Sequence, residues 1–597
     1  MCGIASIFAY GSQAPCVDRE QLARVCHRMA SRGPDGAGVW VNDDDRVALG
    51  HRRLAIIDLS ERGAQPMRSV DGRYVISFNG EIYNYRELRT GLEAIGRHFR
   101  SDSDTEVLLE LYALRGEAML DDLRGMFAFV IWDNVRRGMF VARDLFGIKP
   151  LYFSDDGSTL RIASEVKALL AGGGIDTAPE PAGHVGFFLW GSVPEPYTLY
   201  RGIRALPAGH HMWVSEGGHP VIRQYAGVGD LLRTPDSAPP PLDARETADA
   251  LRAALLDSVR NHLVADVDVG VFLSAGLDST TMAALASELG GRVRSVTLGF
   301  IEYRGTDQDE VPLAELVART YGLDHQTIWV TRADFDTERE HMLDRMDQPT
   351  TDGVNTYFVS RAAAQVGLKA TLSGLGGDEL LGGYPSFRQI PRLVSIAAAV
   401  PASRTIGRGV RAVAAPLLGL FTSQKAAGLL EYGGDFGGAY LLRRGLFMPW
   451  ELDRVLDADL VRDGWKTLAT RATLQANTEQ LPDGRVKVSA LEAGNYMRNQ
   501  LLRDTDWASM TWSLEVRVPL VDPVLWRTVS LLSRARPVSK RAMGRTCEPQ
   551  LPPAVLNRSK TGFLIPTSRW ITEDSSPKRA MRGLRGWALR VYAAHVQ

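Results

Sequence analysis

The chain has 597 residues, 45% of them hydrophobic and 23% charged, with a formal net charge of -1. A single hydrophobic core stops growing well short of this length, so two or more domains are expected. The near-zero charge excludes a general electrostatic attraction to nucleic acid or anionic membrane and leaves small molecules as the expected partners.

In chain order, the opening MCGIASIFAY has no basic flank and no long apolar core, which argues against a secretory leader. The first two hundred residues alternate short β-rich runs with turn signals, as in RYVISFNGEIY (73–83), GMFAFVIWD (125–133) and GMFVARD (138–144), which predicts a sheet sandwich with a few helices. The segment TPDSAPPPLD at 234–243 can continue neither a helix nor a central strand and reads as a linker. The expected division is therefore a first domain over 2–215, a linker over 216–243 and a second domain over 244–597.

Beyond the linker, VDVGVFL (267–273), RSVTLGF (294–300), HQTIWVT (325–331) and KATLSG (369–374) alternate with helical stretches, the order of a parallel α/β sheet. Past about residue 385 most of the chain reads as helix, including a long amphipathic candidate from Ala490 to Ser513. The alanine-rich stretch from Ile396 to Leu420 is interrupted by Arg404, Arg408 and Arg411, so buried helices are expected there and no membrane span. Cys2, Cys16, Cys26 and Cys547 form no C-x-x-C pair; neither a disulfide framework nor a zinc site is expected, and a reducing cytoplasm fits.

Cys2 becomes a residue with both a thiol and a free α-amine once Met1 is removed. An amine with a pKa of about 8 can take the thiol proton, which is how an N-terminal nucleophile is activated. Five further segments follow in order: SRGPDG (31–36), HRRLAIIDLS (51–60), GAQPM (63–67), FNGEIYNYREL (78–88) and SDSDTEVLLELY (101–112). Together with MCGI they resemble the class II glutamine amidotransferase domain, an Ntn-type αββα sandwich, over roughly residues 2 to 210. The resemblance implies that Cys2 attacks the glutamine carboxamide, with Asn79 and the Gly80 amide as the oxyanion hole. It also implies that Arg53 holds the substrate α-carboxylate while Glu81 and Asp104 face its α-amine. The segments at 142–153 and 163–170 also match and are assigned no chemistry.

In the second half, VFLSAGLDST (271–280) sets small and hydroxyl residues between an apolar strand and a helix, where backbone N–H groups can face an anion. It resembles the S-G-G-x-D-S pyrophosphate loop of ATP-pyrophosphatases, with Ala275 in place of a glycine. A second loop, LSGLGGDELLGGY (372–384), supplies Asp378 and Glu379, hard oxygen ligands suited to Mg²⁺. By resemblance Leu273, Ser274, Gly276, Asp278, Ser279, Ser373, Gly374 and Lys560 bind ATP, and Asp278 and Asp378 hold Mg²⁺. Asp506, Glu515, Arg517 and Asp522 are expected to form a network internal to the long helix and the turn after it.

These motifs extend the resemblance to the asparagine synthetase family over nearly the whole chain. The implied fold is an Ntn αββα glutaminase domain followed by a parallel α/β ATP-pyrophosphatase domain with added helices. The implied partners are glutamine, ATP and a carboxylic acid that is adenylated and then amidated, with a homodimer as the candidate assembly. The family usually places a glutamate in the second loop, where this chain has Leu375, and a serine where it has Gly377. Aspartate is the expected acceptor by family frequency, and a different carboxylic acid is the alternative. β-Lactam synthetases share the architecture but need no glutaminase, and the complete set from Cys2 to Asp104 argues against them.

Overall fold

The computed structural model describes residues 2–233, 242–290, 292–400, 407–411, 424–534, 536–558, 566, 570 and 583–596. Two antiparallel sheets build the first half. One has the strand order β10-β8-β9-β1-β3-β2, from β1 (Gly3–Ala9), β2 (Gly36–Val41), β3 (Val47–Arg53), β8 (Tyr152–Asp155), β9 (Thr159–Ala163) and β10 (Arg204–Ala205). The other runs β12-β11-β7-β6-β5-β4, from β4 (Met67–Arg68), β5 (Tyr74–Ile82), β6 (Gly125–Asp133), β7 (Gly138–Arg143), β11 (His210–Ser215) and β12 (Val221–Gln224).

The two-residue side-chain period of a strand explains the layering. In β1, Ile4 and Phe8 face the second sheet, where they meet Val75, Ala128, Val130, Trp132 and Val141. Ala5, Ile7 and Ala9 face outward onto the helices Arg19–Arg28 and Val166–Gly172. On the far side, Ile76, Phe78, Phe129 and Ile131 pack under the helix Asp104–Arg115 through Val107, Leu108 and Leu111. Every central strand is buried on both faces, and the result is the expected α/β/β/α sandwich.

The sandwich does not stop at residue 215. Gly217 takes a φ of +71°, turning the chain so that β12 pairs with β11. The stretch expected as linker therefore begins with an edge strand, and its proline-rich part, 234–241, lies outside the described residues.

The second half holds a parallel sheet of order β15-β14-β13-β16-β17, from β13 (Val269–Phe272), β14 (Arg294–Phe300), β15 (Asp324–Val330), β16 (Ala370–Leu372) and β17 (Glu515–Arg517). The chain moves from β13 to one side for β14 and β15, then returns to the other side of β13 for β16. Parallel sheets bind ligands where the strand order reverses, at the carboxyl ends of the strands, and here that point is the β13/β16 crevice.

Two helical expectations need correction. The stretch from Ala490 to Ser513 is helical but not a uniform amphipathic helix: an α-helix Gly484–Leu491 runs into a π-helix Glu492–Leu502 and then an α-helix Arg503–Met510. Its Arg503–Met510 segment is buried all round, because both halves of the protein pack on it. The helix Ser386–Ala398 leaves Ile396 58% exposed, against the expected burial; residues 401–406 and 412–423 lie outside the described residues. No described helix is long and apolar enough to cross a membrane.

The charged residues expected as an internal helix network instead join the two halves. Asp506 takes a bidentate ion pair from Arg32, at 2.7 and 3.1 Å. Asp522 takes another from Arg124, at 2.7 and 3.1 Å. Arg517 bonds Glu515 locally at 2.6 Å, yet also reaches Glu81 of the first half at 3.4 Å. A chain folds locally in sequence but pairs charges in space: Asp506 and Asp522 found their cations across the domain boundary, while Glu515 kept the local partner expected of it. Removing one partner of a buried pair leaves an uncompensated charge, so Asp506→Ala is expected to cost about 3–5 kcal/mol in equilibrium denaturation. A change below about 1 kcal/mol would mean the pair is solvated in solution.

Candidate active sites

Cys2 precedes β1 at the edge of the first crevice and is 8% exposed. Its backbone nitrogen donates to Asn79 Oδ1 at 2.9 Å, and its thiol lies 3.9 Å from the Leu54 carbonyl oxygen. Burial pushes the thiol above its ordinary pKa, so it needs a base to become a nucleophile. The Cys2 carbonyl accepts from Arg32 Nε at 3.1 Å, which ties the residue to the Arg32–Asp506 pair.

Asn79 is fully buried in β5, and its Nδ2 has no hydrogen-bond partner among the described residues. A buried amide with its oxygen used and its N–H₂ free is costly unless something arrives to accept from it. Gly80 follows at φ +154°; a Cβ there would come within 2.1 Å of the Met126 carbonyl oxygen. Both oxyanion-hole candidates thus stand beside Cys2, and the backbone at Gly80 admits no side chain.

Glu81 and Asp104 also converge on this end of β5. Asp104 opens the helix Asp104–Arg115 and its Oδ2 accepts from the Ile82 N–H at 3.0 Å; burial pushes its carboxyl up to about 7. Arg53 ends β3, one residue before Leu54, and its guanidinium donates to the carbonyls of Ser60 (2.9 Å) and Asp58. Those carbonyls hold and aim Arg53, while its remaining donors stay available.

The second site lies in the β13/β16 crevice, where a cavity of about 1300 Å³ opens. After β13 the loop Leu273–Gly276 leads into the helix Leu277–Glu288. Ser279 Oγ takes the Ser274 N–H at 3.1 Å and lies 2.8 Å from Ser274 Oγ, so the two serines shape the loop as one unit. Ala275 is buried. After β16 comes Ser373 to Gly376, then the short helix Gly377–Leu381.

The glycines of the second loop have a steric role. A Cβ at Gly374 would lie 2.7 Å from the Ser279 nitrogen, and one at Gly377 2.5 Å from Asp278 Oδ1. The glycines let the two loops touch. Gly377 therefore stands where a serine side chain would collide with Asp278.

Asp278 and Asp378 meet on one cation that the motif reading did not find. Lys540 Nζ contacts Asp278 Oδ2 and lies 2.5 Å from Asp378 Oδ1. Burial opposes its charge, but the two carboxylates raise its pKa above the ordinary value. Only a serine cap, Ser539, precedes it in the chain, and nothing local distinguishes Lys540 from a surface lysine. Lys560 lies outside the described residues. Glu379 does not join the metal candidates: it is 1% exposed, accepts from the Tyr384 hydroxyl at 2.9 Å, and is pushed up to about 8 by burial and by Asp378.

The cavity wall away from the loops is aromatic and cationic. Tyr384, Tyr440 and Tyr496 line it, with the Arg444 guanidinium 4.4 Å above the Tyr384 ring and 4.1 Å above that of Tyr496. Glu492, in the π-helix, holds Arg444 at 2.9 Å. Leu375 stands at the same cavity and packs against the main core.

Residues 1–226 match the glutamine amidotransferase domain family, and residues 250–593 match the asparagine synthase family. Among similar proteins, "Asparagine synthetase [glutamine-hydrolyzing] 1" of Bacillus subtilis (strain 168) is 32% identical, across 96% of this chain and 88% of that protein. Asparagine synthetase B [glutamine-hydrolyzing] of Escherichia coli (strain K12) is 32% identical over 66% of each chain. Amidase chry2 of Gibberella zeae is 31% identical, over 65% of this chain and 60% of that protein. The chain therefore belongs to the asparagine synthase family, with a glutamine amidotransferase domain ahead of its synthase domain.

Proposed function

We propose that this protein releases ammonia from glutamine at Cys2 and uses ATP to attach it to a carboxylic acid, forming an amide, AMP and pyrophosphate. The observation that carries the reading is Asn79: a fully buried side chain whose oxygen holds Cys2 while its Nδ2 points at no partner. A donor kept unsatisfied beside a nucleophile has its use when a carbonyl oxygen becomes an oxyanion. The free α-amine of processed Cys2 takes the thiol proton, Sγ attacks the carboxamide carbon, and Asn79 Nδ2 with the Gly80 N–H binds the oxygen. The same amine returns the proton to the leaving ammonia, and water then frees glutamate from the thioester. Arg53 holds the glutamine carboxylate, and Glu81 and Asp104 its ammonium.

At the second site Leu273, Ser274, Gly276, Ser279, Ser373 and Gly374 cradle ATP, and Lys540 faces its phosphates. Asp278 and Asp378, two carboxylates converging on one cationic point, suit Mg²⁺, which takes one or two protein carboxylates and neutralises phosphate charge when bound. The acceptor carboxylate attacks the α-phosphorus and expels pyrophosphate. Ammonia reaching the acyl-adenylate through the protein interior stays neutral and nucleophilic, and displaces AMP.

Aspartate is the acceptor whose amidation gives asparagine, the product in the relatives' names. A second reading, a larger carboxylic acid, is favoured by the tyrosine-lined wall and by Leu375, which offers no charge to a small dicarboxylate. The cavity also exceeds the roughly 300–1000 Å³ usual for one ligand.

Cys2→Ala is expected to abolish glutamine hydrolysis while amide formation from ammonium chloride continues; retained glutaminase activity would refute the nucleophile. Asn79→Ala should lower glutaminase kcat by about 100- to 1000-fold, the usual loss for one oxyanion donor. Asp278→Asn should stop pyrophosphate release with either nitrogen source, and unchanged release would remove the ATP site from this crevice. A panel of carboxylic acids assayed for acid-dependent pyrophosphate release separates the two acceptor readings: stimulation by aspartate alone sinks the second, and stimulation only by bulkier acids sinks the first.

A further inference from the structure

Glu81 carries a feature that glutamine chemistry alone does not explain. It is 5% exposed, and the cation nearest its carboxylate belongs to the other half of the chain, Arg517 of β17. Three of the five N–H donors of Arg517 are already committed: Nε donates to Glu515 Oε1 at 2.6 Å, and Nη1 to the carbonyls of His262 (2.8 Å) and Val264 (2.6 Å). Only Nη2 faces Glu81 Oε2, at 3.4 Å, and neither atom makes a hydrogen bond among the described residues. One fully buried guanidinium thus stands between two buried carboxylates and serves Glu515 first.

We propose that Arg517 is a positioning residue for glutamine binding: it reaches across the domain boundary to orient Glu81 and to supply part of a counter-charge that the substrate ammonium completes. The inference rests on the reading of the Cys2 site as a glutaminase. Three carboxylates, Glu81, Glu515 and Asp104, face two cations, Arg517 and the Cys2 α-amine, and leave the cluster one positive charge short when the site is empty. A buried carboxylate without a full counter-charge takes a proton, and an arriving ammonium drives that proton off.

The other groups around Glu81 fit this account. Burial opposes ionisation of Glu515, yet Arg517 holds its carboxyl down at about 2. Glu81 is pushed well above the usual carboxylate range by burial and by Glu515, with Arg517 offsetting only part. Asp104, at the start of its helix, is held near 7 by burial. Tyr83, on the same chain segment, lies with its ring 5.8 Å from the Arg517 guanidinium and stacks on His262, which burial keeps neutral near pKa 3. Cys2 closes the remaining side with its amine and thiol.

The same residue touches the nucleotide site through its backbone. The Arg517 carbonyl accepts from the Ser373 N–H at 2.8 Å, at the start of the second loop. The group that completes the glutamine pocket is therefore laid down beside the ATP crevice.

The sign of the pH dependence follows. A carboxyl whose pKa is raised in the empty site and lowered by substrate ammonium binds substrate better as pH rises, so the wild-type KM for glutamine should fall with rising pH. Glutaminase assays on the full-length Arg517→Met variant are expected to give a KM at least tenfold higher at pH 7. The fall in KM should move to higher pH, kcat should stay within about threefold, and ammonium-dependent pyrophosphate release should persist. Arg517→Lys should recover most of the KM effect. A KM within twofold of wild type with an unshifted pH profile overturns the proposal. If Arg517→Met fails to fold, the near-isosteric Glu81→Gln decides: it should raise KM and flatten its pH dependence, and an unchanged KM and profile overturn the proposal equally. Absence of glutamine hydrolysis by the wild type would instead overturn the glutaminase reading itself.

Discussion

Arg32 is fully buried, and a buried guanidinium must find anions or the fold does not form. It finds Asp506 and Glu165 through its Nη atoms, and the Cys2 carbonyl through Nε. One side chain of the first half therefore anchors Cys2 and grips the central helix of the second half. Arg124–Asp522 and Arg517–Glu81 repeat the theme nearby, so the two halves are joined by buried charge that neither could satisfy alone. The segment at 163–170 belongs to this seam too: Asp347 accepts from the amides of Val166 and Lys167.

Both sites follow from where this seam lies. The proposed glutamine pocket is at the end of β5 that Arg517 approaches, and the cavity in the β13/β16 crevice is lined in part by Ser192 and Pro194 of the first half. In the proposed reaction ammonia needs a dry path from Cys2 to the cavity, and the interface between the halves is held by paired charges. The π-helix Glu492–Leu502 stands on the cavity side of that interface. Its wider turns place Glu492 under Arg444 while Asn495, Tyr496 and Asn499 line the wall, which fits the tendency of π-helical turns to occur at functional sites.

The two ends of the cavity differ in chemistry. Hydroxyls, glycines and carboxylates make the loops after β13 and β16, whereas tyrosines stacked about one guanidinium make the opposite wall. Leu375 sits at the junction and turns its side chain into the core. A pocket of that kind discriminates by shape and by stacking more than by charge, which is why the identity of the acid is the part of the reaction least constrained by the loops.

Much was legible in the chain alone because it is local. The β runs from 73 to 144 and the strands at 267–273, 294–300, 325–331 and 369–374 depend on short-range pattern, and periodicity with turn chemistry suffices to find them; the two glycine-bearing loops and the set from Cys2 to Asp104 were singled out by their resemblance to family motifs. The sheet edge at β12 was missed because a four-residue strand exposed along its whole length carries no alternation of apolar and polar residues. Tertiary structure alone decided the rest. Lys540 is separated from Asp278 by 262 residues and Arg517 lies far along the chain from Glu81, yet each pair meets in space. A charge in water has no preferred partner, and only burial forces one on it. The sequence by itself determined which residues could do chemistry; the closing of the two halves decided which of them face one another.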